Sequence, residues 1–223
     1  GSPGKMGAAL LSTLSALRSG VGHCTLLSEK AVIEQVEGRV LEVMWESLPS
    51  FDASSPLEPQ TIDQIQLILS GKTALLIGPG LGQGMGCLEL IATLLRSVTL
   101  PAIIDADGLN LIASNLSLLQ ERVDTYNTPD FANTQLILTP HPGEMARLTG
   151  TSTAHVQADR IGVASQFAKQ YNLVLVLKGA RTVIASPEGK VWLNPTGHPG
   201  LASAGSGDVL SGIIGALLAR GIP

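Results

Sequence analysis

The sequence predicts an α/β fold in which a mainly parallel sheet is buried between two layers of helices. Short segments such as "ALLIG" and "LVLVL" are continuously apolar, which is typical of strands that are covered on both faces. Segments with apolar residues at helical spacing alternate with these strands along the chain, as in doubly wound α/β folds. A chain of 223 residues is long enough for one such domain with a large core.

The composition argues against several other classes of protein. Charged residues make up 14% of the chain and the formal net charge is −4; no basic block is present, so we expect no nucleic-acid partner. No apolar run reaches the roughly 18 to 20 residues that a membrane span needs, and no signal peptide is recognisable. Cys24 and Cys87 lie far apart without a CxxC motif, which favours free thiols in a reducing, cytoplasmic setting.

In the first half of the chain, apolar residues at helical spacing predict three helices, in residues 6–18, 61–70 and 87–97. Gly20 and Gly71 follow the first two and are suitable residues to end a helix. Apolar runs predict strands in "HCTLLS", "RVLEVMW", "TALLIG" and "PAIID". The segment "SFDASSPLEPQ" is polar and contains prolines, so we expect a loop there.

In the second half, strands are predicted in "QLILT" and "LVLVLKG", with helices in "GEMARL" and "DRIGVASQFAKQYN". The weakly patterned segment "LLQERVDTYNTPDFANT" is expected to be a surface connection. The stretch "TVIASPEGKVWLNPTG" predicts a β-hairpin around "PEGK". Because ligands of such folds bind beyond the carboxyl ends of the strands, the loops that follow the strands are the candidate sites.

The last of these loops, "ASAGSGDVLSGII", leads directly into an apolar helix. Gly205 and Gly207 leave the backbone bare on both sides of Ser206. Several N–H groups can therefore converge at the helix start, where the dipole adds about half a positive charge. Such a site suits the anion that develops during phosphoryl transfer, with Asp208 as the base for an attacking hydroxyl. The alternative is that Asp208 only caps an ordinary helix.

Two further loops follow strands in the middle of the chain. In "LLIGPGLG", glycines that include Gly78 and Gly82 allow a ligand to approach the main chain, although the same residues also suit a plain turn. In "IDADGLN", Asp105 and Asp107 could face a metal ion or ribose hydroxyls. The equally simple alternative for these acids is a helix cap and a turn residue.

Two more loops offer a histidine and a lysine. His141 lies between two prolines in "TPHPGEMARL"; the prolines favour extended backbone, so a rigid ligand contact and a structural histidine are both consistent with the sequence. Lys178 and Gly179 come at the end of the strand "LVLVLKG". A lysine there can meet a phosphate as a point charge, or it can be a solvated turn residue.

Taken together, these motifs resemble one family. The segments "GSPGKMGAALLSTLSALRSGVG", "LLIGPGLG", "IDADGLN", "LTPHPGEMARL", "KGARTVIASPEG" and "NPTGHPGLASAGSGDVLSGIIGALLARG" occur in its order and cover nearly the whole chain. The chain is similar to the NAD(P)H-hydrate dehydratases, the YjeF C-terminal domain family of the ribokinase-like superfamily. The resemblance implies a ribokinase-like three-layer α/β/α sandwich with a mainly parallel central sheet.

The implied activity is nicotinamide cofactor repair by a lyase. Members dehydrate the S-form of hydrated NADH and NADPH (NADHX and NADPHX) back to the reduced cofactors, with ADP or ATP as phosphoryl donor. The ring hydroxyl is phosphorylated and phosphate is then eliminated. Mg²⁺ would bridge the phosphates, as such transfers normally require, and the resemblance assigns no metal-ligating residue.

The family's roles fall on particular positions of this sequence. The resemblance implies that Asp208 contacts the hydrated nicotinamide and acts as the base, beside an anion hole formed by Gly205, Ser206 and Gly207. Other contacts to the hydrated cofactor would come from Ala8, Gly82 and His141. The nucleotide would be bound by Gly207 and by the turn Lys178, Gly179, Ala180, Arg181 and Thr182.

The resemblance also implies expectations about the whole protein and leaves alternatives open. Residues 1–223 are expected to form a single YjeF C-terminal-type domain that is trimmed at both ends relative to the family. A homotetramer and an NAD(P)H-hydrate epimerase, fused or paired, are expected partners. The alternatives are a small-molecule kinase of the same superfamily, acting on a vitamin precursor, and a nucleotide-binding regulatory module.

Overall fold

A computed structural model describes residues 1–48, 51–126 and 135–222. Its strands are β1 (Cys24–Glu29), β2 (Val43–Leu48), β3 (Leu75–Ile77), β4 (Ala102–Ile104), β5 (Leu136–Leu138), β6 (Val174–Leu177), β7 (Val183–Ala185) and β8 (Val191–Leu193). The helices are α1 (Met6–Arg18), α2 (Lys30–Val36), α3 (Pro59–Leu69), α4 (Met85–Ser97), α5 (Asp107–Ser114), α6 (Ser117–Tyr126), α7 (Pro142–Thr149), α8 (Thr153–Ala158), α9 (Arg160–Gln170) and α10 (Ser206–Ala219).

Within the described residues, the main sheet contains six strands in the order β3-β4-β5-β6-β7-β8. Strands β3 to β6 are parallel, whereas β7 and β8 continue the sheet in antiparallel pairing. The predicted hairpin around "PEGK" is therefore confirmed. Among the strands described, the order does not reverse as it does in a doubly wound sheet, so that detail of the prediction is wrong. Strands β1 and β2 form a separate parallel pair.

Helices cover both faces of the main sheet. On one face, Ile104, Leu138 and Leu177 are buried in a cluster with apolar side chains of α4, α5, α7 and α9. On the other face, their sequence neighbours Ile103 and Ile137 pack with Leu218 of α10. Successive residues of a strand point to opposite faces, so these apolar runs bury both sides of the sheet. The predicted three-layer α/β/α arrangement is confirmed.

One predicted connection is a helix instead. The segment 118–134 was expected to be a surface connection, but its first part lies in α6 and its residues 127–134 lie outside the described residues. Leu118 and Leu119 are both buried in the main core cluster. Tertiary packing of these two leucines supports a helix that the mostly polar sequence around them does not predict.

The first and last helices of the chain lie against each other and bring their N-terminal turns together. The contact between α1 and α10 is formed by small residues: Ser12 Oγ donates to the main-chain oxygen of Asp208 (3.0 Å). A Cβ atom added at Gly212 would collide with the main-chain oxygen of Ser12 and with Ser15 Oγ. This close approach places the start of α1 beside the glycine loop that precedes α10.

Two simpler expectations can also be compared with the structure. Cys24 and Cys87 are both free thiols, as predicted. In the ranges that the structure describes, no helix combines the length and the apolar character that crossing a membrane requires.

Candidate active site

A cleft of about 350 Å³ opens at the carboxyl ends of the strands, between the first turns of α1, α5 and α10. The residues that line it are Gly4, Lys5, Gly7, Ala8, Gly80, Ala106, Asp107 and Asp208. Ala8 and Asp208, which the family resemblance assigns to one ligand, therefore face the same cleft, although 200 positions separate them in the chain. Sequence reasoning did not select Lys5, which belongs to the "GSPGK" motif.

Asp208 is the third residue of α10, and it does not cap that helix. The capping position belongs to Gly205, whose φ of 85° lies in the left-handed region that favours glycine, and no side chain makes a capping hydrogen bond there. The capping alternative for Asp208 is therefore wrong. Burial raises the pKa of Asp208 above its usual value, the charge of Asp105 raises it further, and Lys178 opposes both effects.

Behind Asp208 lies a buried polar cluster centred on Asp105. Lys178 Nζ donates to Asp105 Oδ1 (2.8 Å), and Ser211 Oγ donates to Asp105 Oδ2 (2.5 Å). A second carboxylate oxygen, Glu144 Oε2, lies 3.9 Å from Lys178 Nζ. Sequence reasoning left Asp105 open and did not select Ser211. This serine lies one helical turn after Gly207, and its Oγ is also 3.0 Å from the main-chain oxygen of Gly207. The cluster ties the ends of β4 and β6 to α10.

Lys178 brings the predicted nucleotide turn next to the predicted anion hole. A Cβ atom added at Gly207 would lie 3.5 Å from Lys178 Nζ and 3.9 Å from Asp105 Oδ2. The bare backbone at the start of α10 is therefore adjacent to the ammonium group of Lys178, whose side chain is only 19% exposed. The two regions that were predicted separately, from "KGART" and from "GSGD", meet at this point.

The five predicted nucleotide residues, 178–182, form one turn at the carboxyl end of β6. The Lys178 N–H donates to the main-chain oxygen of Pro140 (2.8 Å), and Thr182 Oγ1 donates to the main-chain oxygen of Gly179 (3.1 Å). Gly179 has a φ of 140°, a conformation that only glycine adopts readily. Residues 179–181 are exposed, so the turn is accessible to a ligand.

The glycine loop after β3 reaches the cleft through Asp107. Gly82 is not itself a lining residue, but its N–H donates to Asp107 Oδ2 (2.9 Å), and so does Lys5 Nζ (2.9 Å). Burial alone would raise the pKa of Asp107, but hydrogen bonds from Gly82, Lys5 and Gln83 outweigh burial and lower it. Asp107 therefore stays ionised and fixes the loop beside the cleft.

His141 has a visible structural role. Its Nδ1 accepts from the N–H groups of Gly143 (3.0 Å) and Glu144 (3.2 Å), and the Glu144 carboxylate accepts from the His141 N–H (2.7 Å). This reciprocal pair caps α7. His141 does not line the cleft of Asp208, and Glu144 connects it to Lys178 instead. Its contact with the hydrated cofactor stays a prediction.

Comparison with known sequences identifies the family of this chain. A sequence model of the family described as NAD(P)H-hydrate dehydratase matches residues 1–222. The chain belongs to the NAD(P)H-hydrate dehydratase family. The resemblance that the motifs carried is thus confirmed.

Named members of the family are similar in sequence to this chain over most of its length. A bifunctional NAD(P)H-hydrate repair enzyme from Moorella thermoacetica is 43% identical over all of this chain, which spans 40% of that protein. An ADP-dependent (S)-NAD(P)H-hydrate dehydratase from Neisseria meningitidis is 43% identical over 67% of this chain and 48% of its own length. The chain thus spans less than half the length of these curated relatives.

A solved structure confirms the ribokinase-like fold class. The ADP/ATP-dependent NAD(P)H-hydrate dehydratase from Bacillus subtilis, which was co-crystallised with ATP and Mg²⁺ and soaked with CoA, has a TM-score of 0.75 and 34% identity. The match covers 98% of this chain and 72% of the Bacillus chain. The three-layer arrangement with a mainly parallel sheet is therefore shared within the dehydratase family.

Within the described part of the chain, the polar side chains do not form a dedicated metal cage. Among the described residues, no group of three or more His, Cys, Asp or Glu side chains is arranged to hold a metal ion. Asp105 is buried and both its oxygens accept hydrogen bonds. Mg²⁺ is commonly held by substrate phosphates and water with only one or two carboxylates. A magnesium ion that arrives with a nucleotide would therefore need at most one or two carboxylates from this site.

Proposed function

We propose that this chain catalyses the ADP- or ATP-dependent dehydration of the S-form of hydrated NADH and NADPH. The observation that carries the proposal is the meeting of a half-buried acid, Asp208, with the bare helix start at Gly207 and the ammonium group of Lys178. A base, an anion hole and a phosphate-binding cation are the groups that phosphoryl transfer to a hydroxyl requires. Family membership supplies the substrate class.

In the proposed reaction, Asp208 accepts the proton of the ring hydroxyl while that oxygen attacks the terminal phosphorus of the nucleotide. The bond from this phosphorus to the bridging oxygen breaks, and AMP leaves from ADP, or ADP from ATP. The ring nitrogen then supplies its electron pair and the C–O bond breaks, releasing phosphate. The released phosphate or water takes a proton from the neighbouring ring carbon, which restores NADH or NADPH, so elimination needs no further residue.

The predicted site residues divide between the two substrates in this proposal. Gly205, Ser206 and Gly207 surround the transferred phosphoryl group, and Lys178 with residues 179–182 holds the nucleotide. The hydrated nicotinamide lies in the cleft against Ala8 and Asp208; contacts from Gly82 and His141, which do not line the cleft, stay predictions of the resemblance. Mg²⁺, held mainly by phosphate oxygens, would add positive charge to the nucleotide phosphates.

Relatives support further proposals about the whole protein. The Neisseria relative is named an ADP-dependent (S)-NAD(P)H-hydrate dehydratase, which supports the S-stereochemistry and ADP as a donor. The Moorella relative is named bifunctional, which supports an epimerase that is fused to this chain or works beside it. The homotetramer and the cytoplasmic location stay predictions.

The test is a repair assay with the full-length protein. Hydrated NADH would be mixed with Mg²⁺ and either ADP or ATP, and the near-ultraviolet absorbance of reduced nicotinamide would be followed. A nucleotide-dependent rise, with release of one phosphate for each NADH, is the expected result. A stable phosphorylated product without NADH would contradict the proposal and favour a small-molecule kinase.

A further inference from the structure

We propose that Arg160 is a positioning residue that holds the turn 178–182 in the conformation that binds the nucleotide phosphates. The inference rests on the proposed function, because the turn needs this conformation only if the chain binds an adenine nucleotide. Arg160 is the first residue of α9, and none of the motifs of the candidate site contains it.

The guanidinium of Arg160 binds three main-chain carbonyl groups at the end of β6. Its Nη2 donates to the oxygens of Leu177 (2.9 Å) and Lys178 (3.2 Å), and its Nη1 donates to the oxygen of Ala180 (2.5 Å). A planar guanidinium presents its donors in a rigid fork, which an ammonium group cannot imitate. One side chain therefore fixes three peptide planes between Leu177 and Arg181.

The orientation of these planes determines where the N–H groups point. In a trans peptide unit the C=O and the following N–H point in opposite directions. Since Arg160 holds the oxygens of Lys178 and Ala180, the N–H groups of Gly179 and Arg181 point away from the guanidinium. Neither N–H has a hydrogen-bond partner within the described part of the chain. Free N–H groups that point to one side of a turn can bind an anion together.

Gly179 allows the Arg160 guanidinium to pack closely against the turn. A Cβ atom at this residue would lie 3.1 Å from Arg160 Nη2, so the planar group packs closely over the bare Cα. Arg160 Nε is buried and has no hydrogen-bond partner among the described residues, which costs free energy. The position of the side chain thus satisfies the carbonyl groups of the turn and leaves one of its own donors, Nε, without a hydrogen bond.

The turn in this conformation also directs Lys178. The Lys178 N–H is held by Pro140 on one side, its carbonyl by Arg160 on the other, and its ammonium group reaches Asp105 beside the α10 start. Rotation of these peptide planes would move both the free N–H groups and the ammonium group. Arg160 therefore acts on nucleotide binding through the turn, without touching the nucleotide.

The experiment measures ADP binding by calorimetry in the full-length protein. Arg160→Lys keeps the charge but loses the fork, and Arg160→Met loses both. Arg96→Lys is the matched control, because Arg96 only pairs with Glu121 at an exposed site (2.8 Å). We expect both Arg160 variants to raise the Kd of ADP roughly 10- to 100-fold, the range for hydrogen bonds to a charged group. The control should bind like the wild type.

Two further measurements separate positioning from simple stabilisation. In the wild type, the backbone amide NMR signals of Gly179 and Arg181 should shift on addition of ADP, and Arg160→Lys should abolish these shifts. In a Lys178→Met background, Arg160→Met should cost much less binding than it does alone, since both act through one turn. A lower Tm with an unchanged Kd for ADP would mean that Arg160 only stabilises the fold, and would overturn the inference.

The outcome for the wild type distinguishes this inference from the proposed function. If the wild type binds ADP and responds to Arg160 variants but restores no NADH, the dehydratase proposal fails and the positioning role stands. If the wild type restores NADH and the Arg160 variants bind ADP normally, the positioning role fails alone. If the wild type binds neither ADP nor ATP, both fail.

Discussion

At the scale of single residues, Asp105, Asp107 and Asp208 lie at this edge of the sheet and differ in the hydrogen bonds that their carboxylates accept. Asp105 accepts from Lys178 and Ser211, and Asp107 accepts from Lys5 and Gly82. Within the described residues, the carboxylate of Asp208 has no hydrogen-bond partner, and its pKa is raised. A base must be free to take a proton and must hold it readily. Asp208 meets both conditions, whereas its neighbours do not.

Replacement of Asp208 tests this assignment. Asp208→Asn should lower kcat for NADH restoration roughly 10²- to 10⁴-fold, the usual contribution of a positioned base, and should leave the Kd of ADP nearly unchanged. The repair assay and calorimetry measure the two quantities separately. Asp63→Asn, at an exposed site on α3, is the control. Turnover close to that of the wild type would remove Asp208 from the mechanism.

The charge of Asp105 should affect the pH dependence of kcat. Asp208 works as a base when ionised, so kcat should fall as the pH drops through its raised pKa. Asp105→Asn removes a neighbouring negative charge that raises this pKa, and it leaves Lys178 to favour the ionised form. The acidic limb of the kcat profile should therefore move to lower pH, and Tm measured in parallel reports any loss of folding. A limb that stays in place or moves upward would contradict this arrangement.

At the scale of elements, α10 combines an apolar helix with a glycine-rich start. The left-handed Gly205 ends the preceding loop and allows the helix to begin beside Lys178. The sequence predicted this helix and the bare backbone at its start, because glycines and one acid directly before an apolar run are a local pattern; the anion site there stays a prediction. It did not predict Ser211, since the pattern of α10 says nothing about the distant Asp105 that Ser211 meets.

Gly207→Ala should weaken nucleotide binding without lowering the stability of the fold. The added Cβ would meet no protein atom closer than 3.5 Å, and alanine favours a helix over glycine by about 1 kcal/mol. The free energy of unfolding should therefore be unchanged or slightly higher. The same methyl group would occupy the space beside Lys178 that the phosphate needs, so the Kd of ADP should rise at least about tenfold. Unchanged ADP affinity would mean that the phosphate lies elsewhere.

At the scale of the whole molecule, the predictable features are those with a local or periodic signal. Continuous apolar runs predicted the buried strands, and "PEGK" predicted the hairpin of β7 and β8. The contacts between Lys5 and Asp107 and between Arg160 and the turn at 178–180 join distant parts of the chain. Periodicity indicates which face of an element is apolar, but it does not indicate which distant polar atoms meet. For the same reason the separate pairing of β1 with β2 was not predicted.

The packing of the first helix on the last connects the stability of the molecule to its cleft. Ala8 in α1 and Asp208 in α10 line the same cleft, and the two helices are held together where Gly212 approaches Ser12 and Ser15. Because a Cβ at Gly212 would collide with the main-chain oxygen of Ser12, a larger residue can be accommodated only if the helices move apart. Such a movement would widen the cleft as well as weaken the fold.

Gly212→Ala should therefore lower both stability and substrate affinity. We expect the free energy of unfolding to fall by about 1–3 kcal/mol, the usual cost of overpacking, despite the better helix propensity of alanine. The KM for hydrated NADH should rise in the fraction that remains folded. Denaturant unfolding and the repair assay measure the two effects. Gly207→Ala, in the same helix but with no protein atom closer than 3.5 Å to its added Cβ, controls for helix propensity in the unfolding measurement, and Gly22→Ala, with no neighbour within 4 Å, controls for the substitution itself in both measurements. If Gly212→Ala is as stable as these two, the contact between α1 and α10 does not set the width of the cleft.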